Sequence, residues 1–225
     1  MKSLNEKIAK AHSVIKEATQ RFNRRKVVAA WTGGKDSTVL LHLIRTHFNG
    51  SVPFPVMFND STMEFDEIYE FVGRIAKEWR LQLVVVKHDE KELAAFHGMK
   101  DTERKKELVR MMKIHALDRF QKEHGIQAYI AGIRWDEHPA RSKESFVSPR
   151  KDHMRIHPIL HFTESDIWNY IKTYDVPYVR LYDQGYRSLG EKPFTAKAKK
   201  GEGERSGRDF DKEQQMDKLR AMGYW

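Results

Sequence analysis

Cysteine does not occur in this 225-residue chain. Its absence excludes disulfides, thiolate metal sites, cysteine-held iron–sulfur clusters and any cysteine nucleophile. Long apolar runs are missing too: none approaches the ~18 residues that span a bilayer. The N-terminal "MKSLNEKIAKAH" lacks the apolar core of a signal peptide, so a cytoplasmic protein with no membrane contact is expected. No internal repeat is visible. Negative charge is in short supply, with 32 Asp and Glu against 41 Lys and Arg and a formal charge of +9. That excess fits an anionic partner, nucleotide or nucleic acid. It fits equally a basic surface that keeps the protein in solution.

What is present suits a folded, soluble domain. Hydrophobic residues make up 40% and aromatics 11%, enough for a core, while 32% of the residues are charged. The length fits one sizeable domain, or one domain with an appendage.

Local patterns alternate between two periods. Ser3-Leu4-Asn5-Glu6 is a capping-box pattern, and Leu4, Ile8, Ala11, Ile15, Ala18 and Phe22 follow at helical spacing. A first helix is therefore predicted from about Leu4 to Phe22. Short apolar strands are predicted at Lys26 to Trp31, Phe54 to Asn59, Leu81 to Lys87 and Ala128 to Gly132. Between and after them, helices are predicted at Ser37 to Phe48, Glu64 to Trp79, Thr102 to His124 and Thr163 to Tyr174. Asn49-Gly50 and Gly125 stand as stop signals, and Thr163 with Asp166 as N-cap and N3. Such alternation predicts an α/β fold, with a mostly parallel sheet of about five strands and helices on both faces. Ligands in such sheets sit at the carboxyl ends of the strands. From about Tyr182 the pattern is lost, so the chain is divided into an α/β domain over 1–181, with its N-terminal helix at 1–22, and a flexible basic tail or lid over 182–225 ending in a short helix.

One segment carries the chemistry. "VVAAWTGGKDSTVLLHLI" (Val27 to Ile44) runs from a strand through two glycines, a lysine, an aspartate and a serine into a helix. Glycines let the backbone turn sharply and aim N–H groups at an anion, with a helix N-terminus behind them. Lys35 adds a mobile positive charge and Ser37 a hydroxyl. The spacing is neither that of a Walker A loop nor that of the dinucleotide G-x-G-x-x-G.

"TGGKDS" resembles the PP-loop, S-G-G-K-D-S, of the N-type ATP pyrophosphatases, with Thr32 in the first serine's place. The resemblance implies a Rossmann-like adenine nucleotide alpha hydrolase fold. It implies that Thr32, Gly33, Gly34, Lys35, Asp36 and Ser37 hold the β- and γ-phosphates of ATP as a pyrophosphate leaving group. Attack then falls on the α-phosphorus. Magnesium is expected to arrive with ATP, since it needs few protein ligands.

Further segments resemble one branch of that superfamily, the phosphoadenylyl-sulfate reductases and the small subunit of bacterial sulfate adenylyltransferase. "VPFPVMFNDSTMEFDEIYEF" places Asp60 at a strand end near the nucleotide; a helix-capping turn is the alternative for this residue. "AGIRWDEHPAR" resembles G-x-R-x-D-E-x-x-x-R, which implies Gly132 near the nucleotide, Arg134 and Arg141 as anion clamps, and Asp136 as their orienting partner. With Lys35, the two arginines are the expected catalytic residues. "RIHPILHFTESDIWNYIKTYDVPYVRLYDQGYRSLG" and "ERSGRDFDKEQQMDKLRAMGYW" complete the resemblance, with Pro158, Trp168 and Tyr170 as scaffold. Arg187, Arg205 and Arg208 are possible closers over the phosphates, or solvated tail charges.

Two features limit the inference. In many relatives "RSLG" precedes a cysteine-containing segment, whereas here "EKPFT" follows, with Glu191 and Phe194 in that stretch. Reduction through a thiolate of this chain is thereby excluded, unless a partner supplies the thiol. His153, His157 and His161 recur at four-residue intervals, but Pro158 interrupts any helix that would align them, so neither zinc nor any other resident metal is expected.

Three functions remain. The first is sulfate activation, ATP plus sulfate giving adenylyl sulfate and pyrophosphate, with a GTPase large subunit as the implied partner. The chain is shorter than the typical adenylyltransferase subunit, which leaves that docking surface open. The second is a sulfonucleotide binder without its own thiol. The third, RNA modification through the same loop, is disfavoured because no RNA-binding module is appended. A homo-oligomer stays open.

Overall fold

The computed structural model describes residues 2–199, 201–208, 213–214 and 216–221. Helix α1 (Leu4–Arg21) begins at the expected capping box: Ser3 accepts from the Glu6 N–H, and the Glu6 carboxylate takes the Ser3 N–H at 2.7 Å. Strand β1 (Val27–Ala30) is shorter than its apolar run, because Lys26 closes a 3-10 turn and Trp31 opens the glycine loop. Helix α2 (Lys35–His47) starts two residues earlier than predicted, capped by Gly34. Then follow β2 (Val56–Asp60), α3 (Asp66–Glu78), β3 (Leu83–Lys87), α4 (Glu90–Gly98), α5 (Thr102–His124) and β4 (Ala128–Ala131). The short strands β5 (Val147–Pro149) and β6 (Met154–Ile156) precede α6 (Glu164–Thr173), whose Thr163/Asp166 capping box is formed, and α7 (Met216–Ala221).

The sheet has six strands in the order β3-β2-β1-β4-β6-β5, one more than the sequence indicated. All neighbours are parallel except the β5–β6 hairpin, which pairs Val147 with Ile156. Three-residue strands are too short to show a period, which is why this hairpin was not predicted. Helix α4 was missed in the charged run before α5; its first turn is capped by Asp89, which accepts from Lys91 N at 2.9 Å.

Period-two alternation distributes the strands between two layers. Val27, Ala29, Val56, Phe58, Ala128 and Ile130 pack on the layer of α1, α2, α3 and α6. Val28, Met57, Val86 and Tyr129 pack instead on Ala116, Leu117 and Phe120 of α5. From β1 the chain proceeds outward through β2 and β3, then returns to the other side of β1 as β4. The strand order therefore reverses between β1 and β4, which opens a crevice at their carboxyl ends.

Candidate active site

The glycine loop lies in that crevice. Trp31 is fully buried, and its Nε1 donates to Thr38 Oγ1 at 3.0 Å, tying the strand end to the first turn of α2. Gly33 has φ +74°, a left-handed conformation that favours glycine. Thr32 Oγ1 accepts from Gly34 N at 3.3 Å and lies 3.1 Å from Ser37 Oγ, which donates to Gly34 O at 3.0 Å. The two hydroxyls thus shape the loop from inside. The Lys35 N–H is received at 2.9 Å by the hydroxyl of Tyr182.

Charges converge on this turn from three parts of the chain. Lys35 Nζ donates to Asp36 Oδ2 at 3.1 Å, to the Arg187 carbonyl at 3.0 Å and to Glu204 Oε1. Arg134, fully buried just after β4, uses three nitrogens on three carboxylates. Nε reaches Asp36 Oδ1 at 2.6 Å, Nη1 reaches Asp136 Oδ1 at 2.5 Å, and Nη2 reaches Glu204 Oε2 at 2.5 Å. Asp136 also accepts from Glu164 N at 2.9 Å, which anchors it to the start of α6.

Burial opposes the charge of Lys35, but Asp36, Tyr182 and Glu204 outweigh it and hold the ammonium above the ordinary lysine range. Arg134 is raised in the same way, against its burial, by Asp36, Glu204, Glu137 and Asp136. Burial pushes the Tyr182 phenol up to about 12. Burial likewise raises Glu204; Lys35 and Arg134 pull it down, while Asp36 and Glu137 add to the rise. Carboxylates therefore crowd this end of the crevice.

A second cluster stands beside the first. Glu137 bridges Arg141 and Arg205, the latter at 2.6 Å, and Arg205 is also gripped by Glu213 at 2.6 and 2.7 Å. Burial would raise Glu137, but Arg141, Arg205 and Arg134 outweigh it and keep the group ionised well below the usual carboxylate range.

Lys35, Asp36, Tyr182, Glu137, Arg141 and Arg205 border a cavity of about 240 Å³, while Arg134, Asp136, Glu204 and Glu213 stand behind its wall. Its apolar wall includes Ala30, Met57, Leu117, Ala131 and Ile133, and its cationic wall Lys35, Arg141, Arg205 and Arg208. The arrangement suits a flat apolar group attached to a chain of anions. Gly132 closes the floor: a Cβ there would stand 3.0 Å from both Asp36 O and Ser37 Cα, so β4 and α2 meet backbone to backbone.

Several expected residues sit differently. Asp60 does not border the cavity; it accepts from Thr62 N and Tyr69 Oη, each at 2.8 Å, the local turn role given above as its alternative, while the preceding Asn59 forms the wall. Arg187 points to Glu164 at 2.5 Å and to the Glu202 carbonyl at 2.7 Å, so what it gives Lys35 is its carbonyl. Arg208 reaches Ser188 Oγ at 3.3 Å and the Leu189 carbonyl. Of the expected tail or lid over 182–225, residues 182–199 and 201–208 lie across the loop, whereas 200, 209–212, 215 and 222–225 lie outside the described residues.

In the segment where many relatives carry cysteine, Glu191 is buried 2.7 Å from Lys113, and Phe194 packs on the cluster of Phe96, Val109 and Met112. The three spaced histidines scatter. His153 accepts from Arg155 Nε at 3.0 Å, His157 lies 3.5 Å from Glu144, and His161 meets the Lys7 carbonyl at 3.1 Å. Among the described residues no group of three His, Asp or Glu is placed to hold a metal.

Sequence reasoning missed Tyr182, Glu137 and Glu204. Tyr182 fell at the expected domain edge, and Glu204 was passed over in favour of the arginines around it. The local signal for Glu204 was a pair of acids, Glu202 and Glu204 in "GEGERSGR", inside a basic stretch.

Comparison with known proteins agrees with this geometry. Residues 26–197 match the family profile described as the phosphoadenosine phosphosulfate reductase domain. The chain is 34% identical to the adenosine 5'-phosphosulfate reductase of Halalkalibacterium halodurans, over 87% of this chain and 84% of that one. It is 31% identical to sulfate adenylyltransferase subunit 2 of Zymomonas mobilis, over 80% and 67%. Among solved structures, the phosphoadenylyl-sulfate reductase of Candida auris superposes with a TM-score of 0.70 at 24% identity, over 83% of this chain and 90% of that one. The turn after β1, its place at the sheet's reversal and these likenesses agree, and the chain belongs to the phosphoadenylyl-sulfate reductase family of the PP-loop superfamily.

Proposed function

We propose that the protein is an adenylyltransferase of sulfate activation, joining ATP and sulfate to give adenylyl sulfate and pyrophosphate. The observation that carries this reading is the convergence of Lys35 and Arg134 on Glu204 beside the glycine loop, two cations gathered around one anion, in a chain without cysteine. A sulfate oxygen attacks the α-phosphorus, the bond from that phosphorus to the bridging oxygen breaks, and pyrophosphate leaves with the electron pair. Lys35 and the loop receive the leaving group, and the arginines neutralise charge at the α-phosphate and the sulfate. Positioning and electrostatics supply the catalysis, with no covalent intermediate. The apolar wall receives adenine. Magnesium would come with ATP as part of the substrate, where it would neutralise phosphate charge.

Relatives named as subunit 2 of sulfate adenylyltransferase support a partner subunit for this chain as well. No helix among the described residues is long and apolar enough to cross a membrane, which is compatible with work in the cytoplasm. The test is sulfate-dependent exchange of label between pyrophosphate and ATP, with and without a partner GTPase. Exchange that Lys35→Ala abolishes is expected; no exchange under either condition overturns the assignment.

A second reading rests on the reductase relative, whose chain is matched over 84% of its length. On that reading the protein binds a sulfonucleotide and takes its thiol from another protein. Tight binding of adenylyl sulfate without ATP turnover distinguishes it from the first.

A further inference from the structure

We propose that Glu204 is an internal competitor for the phosphate end of the site: its carboxylate holds the position between Lys35 and Arg134 that a nucleotide oxyanion takes, and it withdraws when that anion binds. The inference rests on the phosphate reading of the loop and adds a means of regulating it.

Three observations carry it. Both oxygens of Glu204 are used as a bound anion's would be, Oε1 on Lys35 Nζ and Oε2 on Arg134 Nη2 at 2.5 Å. The side chain is only 8% exposed although Gly201, Glu202 and Gly203 before it are exposed, so a single acid is inserted from a surface stretch. Finally, the charges leave no room for both occupants. Lys35 and Arg134 already face Asp36, Asp136 and Glu204, and a polyanion joining three carboxylates around two cations meets strong repulsion.

The surrounding backbone allows the exchange. On the C-terminal side Arg205 is held by Glu137 and Glu213 and Ala196 N donates to Gly207 O at 2.8 Å, and on the N-terminal side Arg187 Nη1 donates to Glu202 O at 2.7 Å, so both sides of Glu204 are anchored. Gly201, with φ +84°, and Gly203 precede it. Withdrawal is then a rotation of one side chain on a tethered loop. Until an anion displaces it, the carboxylate adds a further counter-charge to two buried cations that Asp36 and Asp136 also face.

Calorimetric titration with inorganic pyrophosphate, with and without magnesium, tests the proposal independently of turnover. Removing an internal competitor raises apparent affinity by the inverse of the open fraction. Glu204→Gln and Glu204→Ala are each expected to bind at least about tenfold more tightly than wild type. Glu202→Gln, which removes a neighbouring exposed charge, is expected to leave affinity unchanged. The proposal is overturned if either Glu204 variant binds no better than wild type, which would make Glu204 a ligand contact or a structural bridge. It also falls if Glu202→Gln gains as much, since the effect would then be general charge removal. Lys35→Ala separates the two readings. If it binds pyrophosphate as tightly as wild type, the phosphate assignment of the loop fails; if it loses binding while the Glu204 variants gain nothing, the competitor alone fails.

Discussion

Arg134 Nε donates to Asp36 Oδ1 at 2.6 Å, joining the segment after β4 to the first turn of α2 through a buried ion pair. The two residues are 98 positions apart, and the pair spans the reversal point of the sheet.

Replacing that guanidinium with lysine should cost both stability and ligand. A single ammonium cannot present three nitrogens to Asp36, Asp136 and Glu204 in a planar fork. Arg134→Lys is expected to lower unfolding free energy by about 1–3 kcal/mol, the cost of leaving buried acceptors short of donors. Urea denaturation measures it, and calorimetry should show weaker pyrophosphate binding in the same variant. Unchanged stability would mean that the three carboxylates find other donors.

Gly132 makes a sharper steric prediction. Because the atoms that a Cβ would meet are backbone of Asp36 and Ser37, relief requires α2 to move. Gly132→Ala should destabilise by about 1–3 kcal/mol and displace the loop that α2 carries. A variant with wild-type melting and wild-type pyrophosphate affinity would refute the close approach.

Tyr182→Phe isolates one hydrogen bond. The ring remains, packed edge-on to Trp168 at 5.5 Å between centroids, while the Lys35 N–H loses its acceptor. A loss of about 1 kcal/mol is expected, and the Lys35 amide should exchange with solvent faster than in wild type. Equal exchange would place the Tyr182 hydroxyl elsewhere in solution.

Glu144 is expected to contribute to acid stability on the other flank of the sheet, beside the contribution of Glu137 at the site. It is buried and accepts from Ser148 Oγ at 2.7 Å, from Arg150 at 3.4 Å and from Arg220, with His157 Nε2 at 3.5 Å. Burial raises its pKa, but His157, Ser148 and Arg220 outweigh it and hold the carboxyl well below its ordinary 4.5. A depressed folded value favours the charged form, so the contribution is full above the unfolded pKa and is lost as pH falls through and below it. The wild-type melting temperature should therefore decline from roughly pH 5 to pH 3. Glu144→Gln should melt lower at pH 7 and show a flatter decline; parallel curves would remove Glu144 as the cause.

Much of the frame was legible before the structure. The capping boxes at Ser3 and Thr163 formed as predicted, and α5 runs from Thr102 to His124 as its pattern indicated. Gly125 terminates it in a left-handed conformation. These features are local, set within a few residues by hydrogen bonding and by helical or strand periodicity. The glycine loop was legible for the same reason, since its turn, lysine and helix start are contiguous.

What remained hidden depends on distance along the chain. Chain order and periodicity by themselves determined the α/β class and the loop after the first strand, and the absence of cysteine excluded a thiolate from this chain's own residues. The tertiary structure alone decided that Glu204, 169 residues from Lys35, joins Asp36 on its ammonium, and that Tyr182 takes its N–H. It also turned Asp60 and Arg187 toward neighbours of their own. The physical reason is that backbone patterns are written by nearest neighbours, whereas a buried charge takes its partner from whichever segments the packed sheet and its returning lid bring within about 3 Å.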